Sequence, residues 1–163
     1  AETFRLPVVH FVDVPGFVIG TRAERAGTIR HGARALSAIY QASVPWCTML
    51  IRKAYGVAGA AMMDHTRFRY RYAWPSGDWG SLPLEGGVEA AFKSVLEKAE
   101  DPEALKEELR TRMRDLSDPF KTAERFWIEE IIDPAETRPL LTEFANLTAK
   151  LRTREKPGTR YRP

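Results

Sequence analysis

Trp46-Cys47-Thr48-Met49-Leu50-Ile51-Arg52-Lys53-Ala54-Tyr55-Gly56-Val57-Ala58-Gly59-Ala60-Ala61-Met62 decides the reading of the fold. Its first six residues form an apolar run that predicts a buried strand. The chain then breaks at Gly56 and resumes in small residues suited to a closely packed helix. A strand, a tight turn and a helix start aim backbone N–H groups at one spot. The first-turn amides have no intrahelical partner, and the helix dipole is positive there. Such a spot stabilises an oxygen anion as charge develops in a reaction. On the residues alone two readings stay open. The turn is a candidate oxyanion hole built from backbone, or Gly56, Ala58, Gly59, Ala60 and Ala61 simply let a helix sit tightly on a sheet.

Upstream, Leu6 to Val12 reads as a buried strand ended by Pro15-Gly16. Thr21-x-x-Glu24 is a capping-box pattern that starts a helix. Within it Ile29, Ala33, Leu36 and Tyr40 recur at helical spacing, and Val44-Pro45 stops it. Two buried strands joined by a helix predict a parallel βαβ crossover. Downstream, Phe68, Tyr70 and Tyr72 alternate with Arg67, Arg69 and Arg71, giving a strand with an aromatic face and a basic face. Ser76-Gly77-Asp78 is a turn, and Trp79 to Leu84 suggests another short strand. Gly86-Gly87 opens a helix carrying Val88, Ala91, Phe92, Val95 and Leu96. Asp101-Pro102 is an N-cap followed by proline at the first helical position. That helix has Leu105, Leu109, Met113 and Leu116 as its apolar stripe. Trp127 to Ile132 reads equally as strand or helix edge. Asp133-Pro134 with Glu136 starts a last helix, whose apolar positions are Leu140, Leu141, Phe144, Leu147 and Leu151.

A chain of 163 residues with 44% hydrophobic content builds one domain with a sizeable core. No apolar run reaches the roughly 18 residues of a membrane span. Ala1-Glu2-Thr3-Phe4-Arg5 lacks the basic-then-apolar order of a signal peptide, and the missing initial Met suggests a processed or excised piece. The net charge of +3 suits anionic ligands without identifying one. Residues 1–155 read as the domain and 156–163 as a basic, solvated tail.

The side chains offer few acid–base pairs. The single Cys47 lies in the apolar run and reads as a buried thiol in a reducing compartment. Asp13, at a strand end before Pro15-Gly16, is a candidate carboxylate, although such an Asp more often braces a turn. His10 reads as a packed core residue, His31 lies opposite its helix's apolar stripe, and His65 follows Asp64 at an expected helix end. No pair has metal-ligand spacing, so no metal site is expected. The interleaved arginines and aromatics are explained by a two-faced strand better than by nucleic-acid binding. Ser37, Ser43 and Ser76 lack a Gly-x-Ser-x-Gly setting for hydrolysis.

Several strings, in order along nearly the whole chain, carry a resemblance. They are Phe11-Val12-Asp13-Val14-Pro15-Gly16-Phe17, Gly20-Thr21, Ile29-Arg30-His31-Gly32-Ala33, Arg52-Lys53-Ala54-Tyr55-Gly56, Ala73-Trp74-Pro75, Asp118-Pro119-Phe120 and Ile132-Asp133-Pro134-Ala135-Glu136-Thr137-Arg138. Together they resemble the C-terminal half of the carboxyltransferase (β) subunit of biotin-dependent acyl-CoA carboxylases, of the propionyl-CoA carboxylase type. The resemblance implies a crotonase-like (ClpP/crotonase) α/β fold, a superhelix of ββα units with a mixed sheet flanked by helices. It implies two such domains per subunit, of which this chain matches the second, biotin-facing one. The site then lies between the first domain of one subunit and the second domain of a neighbour.

In such a site the backbone amides matching Val57 and Ala58 hold the ureido oxygen of biotin. Carboxybiotin releases CO2, the biotin enolate takes a proton from the acyl-CoA α carbon, and the carbanion attacks CO2. Tyr55, Gly56, Gly59 and Ala60 match the substrate-binding surround. A β-branched Val57 does not easily adopt positive φ, so its amide is expected to point correctly from ordinary geometry. Acyl-chain choice is influenced at the position of Ala60, which is small and uncharged here and implies a roomier pocket. The implied cofactors are biotin on a carrier domain and CoA as part of the substrate. The implied partners are the N-terminal carboxyltransferase half, the biotin carboxyl carrier and biotin carboxylase, in a homo- or hetero-oligomer. Neither nucleic acid nor a membrane span is expected. The expected location is the cytoplasm, or the mitochondrial matrix in a eukaryote, and the half alone is expected to be inactive or nearly so. A decarboxylase subunit running the transfer backwards, and a non-catalytic assembly module with the same fold, are the alternatives.

Overall fold

The computed structural model describes residues 1–61, 70–81 and 84–151. In chain order the elements are β1 (Val8–Val14), α1 (Thr21–Arg25), α2 (Thr28–Gln41), β2 (Trp46–Tyr55), α3 (Gly56–Ala61), β3 (Tyr70–Ala73), β4 (Asp78–Gly80), α4 (Leu84–Ala91), α5 (Lys93–Leu96), α6 (Pro102–Leu116), α7 (Pro119–Glu124), β5 (Glu130–Ile131) and α8 (Thr137–Ala149), with a 3-10 turn at Pro134–Glu136 before α8. This is the α/β layout expected, helices flanking one sheet, and all the pairings among the described strands are parallel.

The ten-residue strand β2 organises the sheet. One edge pairs with β1, from Val8↔Trp46 to Val14↔Ala54. The other edge is shared: β3 runs along Cys47–Leu50 and β4 along Lys53–Tyr55. Between β3 and β4 the chain makes a tight turn, in which the Gly77 N–H donates to the Trp74 carbonyl at 2.9 Å. The Ser76 hydroxyl donates to the Ile51 carbonyl at 2.7 Å, pairing a β2 acceptor that neither strand reaches. β5 extends the sheet beyond β3.

Side chains alternate across the pleat. Cys47, Tyr70 and Tyr72 share one face, where α8 covers them with Phe144, Leu140 and Leu141. Phe144 is 1% exposed and its ring lies 5.0 Å from that of Tyr70. Val12, Leu50, Ala54 and Ala73 share the opposite face, packed with Ile128, Trp79 and Ala123. Burial pushes the Cys47 thiol up to about 12, which keeps it protonated and unreactive.

The α8 entry follows its sequence. The Asp133 carboxylate accepts from Ala135 N–H at 2.8 Å, and the Glu136 carboxylate accepts from Asp133 N–H at 3.2 Å, a complete capping box. Because α8 covers Cys47, Tyr70 and Tyr72, Asp133→Ala is expected to cost about 1 kcal/mol, the worth of an N-cap. Thermal unfolding measures it. An unchanged midpoint would mean the sheet face alone holds α8.

Several expectations need correction. β1 is not a buried strand: Val9 and Phe11 are exposed and only Val12 is fully buried, because β1 lies at the end of the strand order. Thr21 makes no capping bond, and Gly27, in the left-handed region, divides the predicted helix into α1 and α2. In α2, Ile29, Ala33 and Tyr40 are exposed while Ile39 is buried. The inward face runs through Gly32, Leu36 and Ile39, and the ring of Phe17 fills the space a Cβ on Gly32 would need. The helix expected from Gly86 begins at Leu84 and breaks at Phe92. Leu116, Leu147 and Leu151 are exposed, and Thr148 is the buried residue of α8's last turn. Phe68, Arg67, Arg69 and His65 lie outside the described residues, as does the boundary between 155 and 156 with its basic tail.

Candidate active site

The end of β2 and the start of α3 set the geometry. Tyr55 is the last strand residue and Gly56 the first helical one. The reversal falls on Gly56, whose φ of 63° is the left-handed conformation that glycine adopts without a Cβ penalty. Val57 is not among the residues with positive φ, so its amide enters the helix from ordinary geometry, as a β-branched residue requires. The amides of Val57 and Ala58 fall in the first turn, where no intrahelical carbonyl reaches them. The Val57 side chain is 70% exposed and Ala58 is buried, so the turn stands at the surface with its back against the core.

Gly59 fixes how close that back lies. A Cβ there would stand 2.4 Å from the carbonyl carbon of Ala54 and 2.7 Å from its oxygen. These are backbone atoms of β2 itself, so α3 is seated on the strand that leads into it.

Tyr55 supports the turn from behind. It is fully buried, and its hydroxyl donates to the Asp78 carboxylate on β4. Burial and the Asp78 carboxylate push the phenol well above its ordinary value, so it stays a donor. The β2–β4 contact is tight: a Cβ on Gly80 would meet the Ser117 hydroxyl at 3.1 Å and the Tyr55 ring at 3.5 Å.

Asp13 braces the end of β1 against β2. The β1–β2 register shifts between Val12 and Val14, which puts Arg52 and Lys53 out of the ladder. The Asp13 carboxylate accepts from Lys53 N–H at 3.1 Å and pairs with the Arg52 guanidinium at 2.9 Å. The Arg52 hydrogen bonds, then the Lys53 amide, hold its carboxyl below the usual 3.8. A depressed folded pKa contributes stability above the unfolded value and loses it as pH falls through the folded one. Asp13→Asn is therefore expected to be less stable than the parent at neutral pH. The gap should close as pH falls below 3.8, and melts across pH 2–7 measure it. A gap that is constant with pH would show that the charge is irrelevant.

A cavity of about 770 Å3 opens beside the turn. Gly56, Val57 and Gly59 form one wall, and Leu50 and Ala54 come from β2. Trp79, Gly80 and Ser81 bound it at β4; Met113, Leu116 and Ser117 close it from the end of α6; Thr122, Arg125, Trp127 and Ile128 come from α7 and the segment after it. Arg71 of β3 also lines it and is 4% exposed. Its backbone N–H donates to the Glu129 carboxylate at 2.7 Å, and its guanidinium lies 3.7 Å from the same carboxylate.

Of the residues singled out from sequence, Gly56, Val57 and Gly59 line the cavity, Ala58 is buried in the same turn, and Tyr55 lies behind it. The Ala60 side chain lies outside the described residues. Sequence reasoning missed Arg71, Trp79, Arg125 and Trp127. The alternation around Tyr70 and Tyr72 puts Arg71 on the opposite face, which reads in sequence only as the basic face of a strand. It is buried because residues 122–129, some fifty positions on, close over it. Among the described residues no three His, Cys, Asp or Glu side chains gather as metal ligands, and no helix is long and apolar enough to cross a membrane.

Comparison with known proteins bears on what such a turn does. Residues 1–162 match the carboxyl transferase domain family. The carboxyltransferase subunit of Haloferax mediterranei propionyl-CoA carboxylase is 39% identical over 139 residues, 84% of this chain and 27% of that protein. The α subunit of Veillonella parvula methylmalonyl-CoA decarboxylase is 36% identical over 157 residues, 96% of this chain and 30% of that one. A crystal structure of the transcarboxylase 12S hexamer with methylmalonyl-CoA superposes with a TM-score of 0.80 at 33% identity, over 98% of this chain and 31% of its own. The β subunit of P. aeruginosa geranyl-CoA carboxylase shares the fold with a TM-score of 0.85 over 99% of this chain and 32% of its own. The fold is that of the crotonase-type carboxyltransferases. The chain spans less than a third of the length of these relatives. With the family model matched from end to end and the fold shared, this chain belongs to the carboxyl transferase domain family.

Proposed function

We propose that this chain is the biotin-facing half of an acyl-CoA carboxyltransferase. The observation that carries the reading is the Gly56–Ala58 turn, with its first-turn amides at the wall of a cavity, on a domain of this family. The Val57 and Ala58 amides hold the ureido oxygen of biotin as negative charge develops on it. Tyr55 positions the turn through Asp78, Gly56 allows the reversal, and Gly59 seats the helix. Ala60 belongs to the acyl side of the site.

Biotin held at the Val57 and Ala58 amides would supply the carboxyl group and the proton-accepting chemistry. The protein supplies a fixed pair of donors that needs no reorganisation as the charge appears. This accounts for a turn beside which no acid–base dyad stands among the described residues. The acyl-CoA enters from the N-terminal half, and the biotin arrives on a carboxyl carrier loaded by biotin carboxylase. The assembly is an oligomer of the kind described for transcarboxylase 12S. It works in the cytoplasm, or in the mitochondrial matrix in a eukaryote; the rat propionyl-CoA carboxylase β chain, a relative, is named as mitochondrial. The 36% identical methylmalonyl-CoA decarboxylase subunit supports a second reading, the same transfer run towards biotin.

The test mixes this chain with the matching N-terminal half and follows carboxyl transfer from carboxybiotin to a panel of acyl-CoAs. Transfer that appears only in the mixture is the expected result. A stable complex that moves no carboxyl group to or from biotin would replace this reading with a non-catalytic assembly module.

A further inference from the structure

α2 carries an apolar stripe that the core of this chain does not use. At about 3.6 residues per turn, Ile29, Ala33, Leu36 and Tyr40 fall in one row along the helix. Such a row on a helix of a globular protein normally faces a core. Here Ile29 is 57% exposed, and Ala33 and Tyr40 are exposed as well. The inward side lies further round, where the Phe17 ring packs on Gly32 and Ile39 is buried. Phe17 holds its loop against α2, and the next two residues, Val18 and Ile19, are exposed too. On the other side of the stripe stand Arg30 and Arg34, one turn apart and both exposed. With Arg22 and Arg25 of α1 they make four exposed arginines against one carboxylate, Glu24, over residues 21–41. None of the four makes an ion pair among the described residues. α2 also lies against α3, the helix that opens at the candidate oxyanion turn.

We propose that the α2 stripe and its arginine row are the surface on which the N-terminal half docks, that half presenting apolar side chains bordered by carboxylates. The inference rests on the carboxyl-transfer reading for the identity of the partner. An apolar row bordered by charge has the anatomy of an interface core and its rim. Four unpaired arginines call for carboxylates opposite. They also disfavour a second copy of this chain, because a two-fold contact sets the same patch against itself. The contact with α3 puts the surface beside the turn, where a half that brings acyl-CoA to the biotin side must come. In the relatives more than two thirds of the chain lies outside the matched stretch, enough to supply such a surface.

Hydroxyl-radical footprinting of this chain, alone and mixed with the matching N-terminal half, tests the proposal. Ile29 and Tyr40 should oxidise readily in the chain alone and be protected in the mixture. Calorimetric titration of one half with the other measures the charge. Arg30→Glu combined with Arg34→Glu should weaken the complex about tenfold or more. Arg30→Lys combined with Arg34→Lys should stay close to the parent. Added salt should weaken the parent complex and barely move the charge-reversed one. Both positions are exposed, so these variants should melt with the parent. A complex in which Ile29 and Tyr40 oxidise as before, a charge-reversed variant that binds like the parent, or no complex at all would overturn the proposal. So would protection of α2 in the chain alone at high concentration, which marks a second copy. Protection by phosphatidylserine vesicles that the N-terminal half does not reproduce would mark a membrane face instead. If the charge-reversed variant fails to fold, the parent footprint and its salt dependence still decide. Docking through α2 in a mixture that moves no carboxyl group leaves this surface standing and removes the transfer reading. Transfer with α2 still exposed does the reverse.

Discussion

Gly59→Ala is expected to lose both stability and carboxyl transfer, although alanine is the better helix former. In a helix interior alanine gains about 0.8–1.0 kcal/mol over glycine. Here the added methyl would lie 2.4 Å from the Ala54 carbonyl carbon and 2.7 Å from its oxygen. Those atoms belong to the strand that feeds the turn, so they cannot swing aside as the end of a flexible side chain would. Overpacking typically costs about 1–3 kcal/mol, and rigid backbone puts this site at the upper end, so the clash outweighs the propensity gain. The strain is relieved only by lifting α3 off β2, which moves the Val57 and Ala58 amides. A displacement near 1 Å costs about a hundredfold in rate where geometry carries the catalysis. Thermal unfolding and transfer in the mixed halves measure the two effects together. A variant as stable and as active as the parent would mean that α3 tolerates a shift, and the close seating would lose its functional meaning.

The contrast between what sequence reveals and what it hides follows from distance along the chain. The β2–turn–α3 unit is legible because every determinant lies within sixteen residues: an apolar strand, one glycine at the reversal, and small residues after it. The Asp101 and Asp133 caps are legible for the same reason, and both form. The end of β2 is not. Arg52 to Tyr55 falls outside the apolar run that predicts the strand, yet it continues the strand because β4 returns to pair with Lys53–Tyr55. Burial on α2 departs from its apolar periodicity because Phe17, in a loop, packs beside Gly32. The cavity is the furthest from view. Leu50, Arg71, Met113 and Trp127 come from four segments, and only the sheet register and the α6–α7 connection bring them together. The family resemblance points to the turn and names its chemistry, but it says nothing of Arg71, whose burial depends on residues 122–129.

Val57→Pro isolates the backbone donor from everything else at the turn. Proline removes one N–H and is tolerated in the first turn of a helix, where that N–H has no intrahelical partner. Its ring crowds the Cβ and N–H of the residue before it, and Gly56 has no Cβ to meet it. The fold should therefore survive, while transfer falls about 10²–10³-fold, the usual cost of one oxyanion-hole donor. Val57→Ala is the matched control. The side chain is 70% exposed, so its truncation should shift stability by no more than about 0.5 kcal/mol. It keeps the amide and should keep the transfer rate. The pair separates three outcomes by melts and transfer in the mixed halves. Loss in proline alone, with normal melting, is what a backbone oxyanion hole requires. Equal loss in both variants would move the effect to the Val57 side chain at the cavity wall. Retention in both would remove the turn from the chemistry and leave Gly56 and Gly59 as packing residues only. The amide is the decisive group because it is the one feature of the turn that substituting the side chain leaves in place.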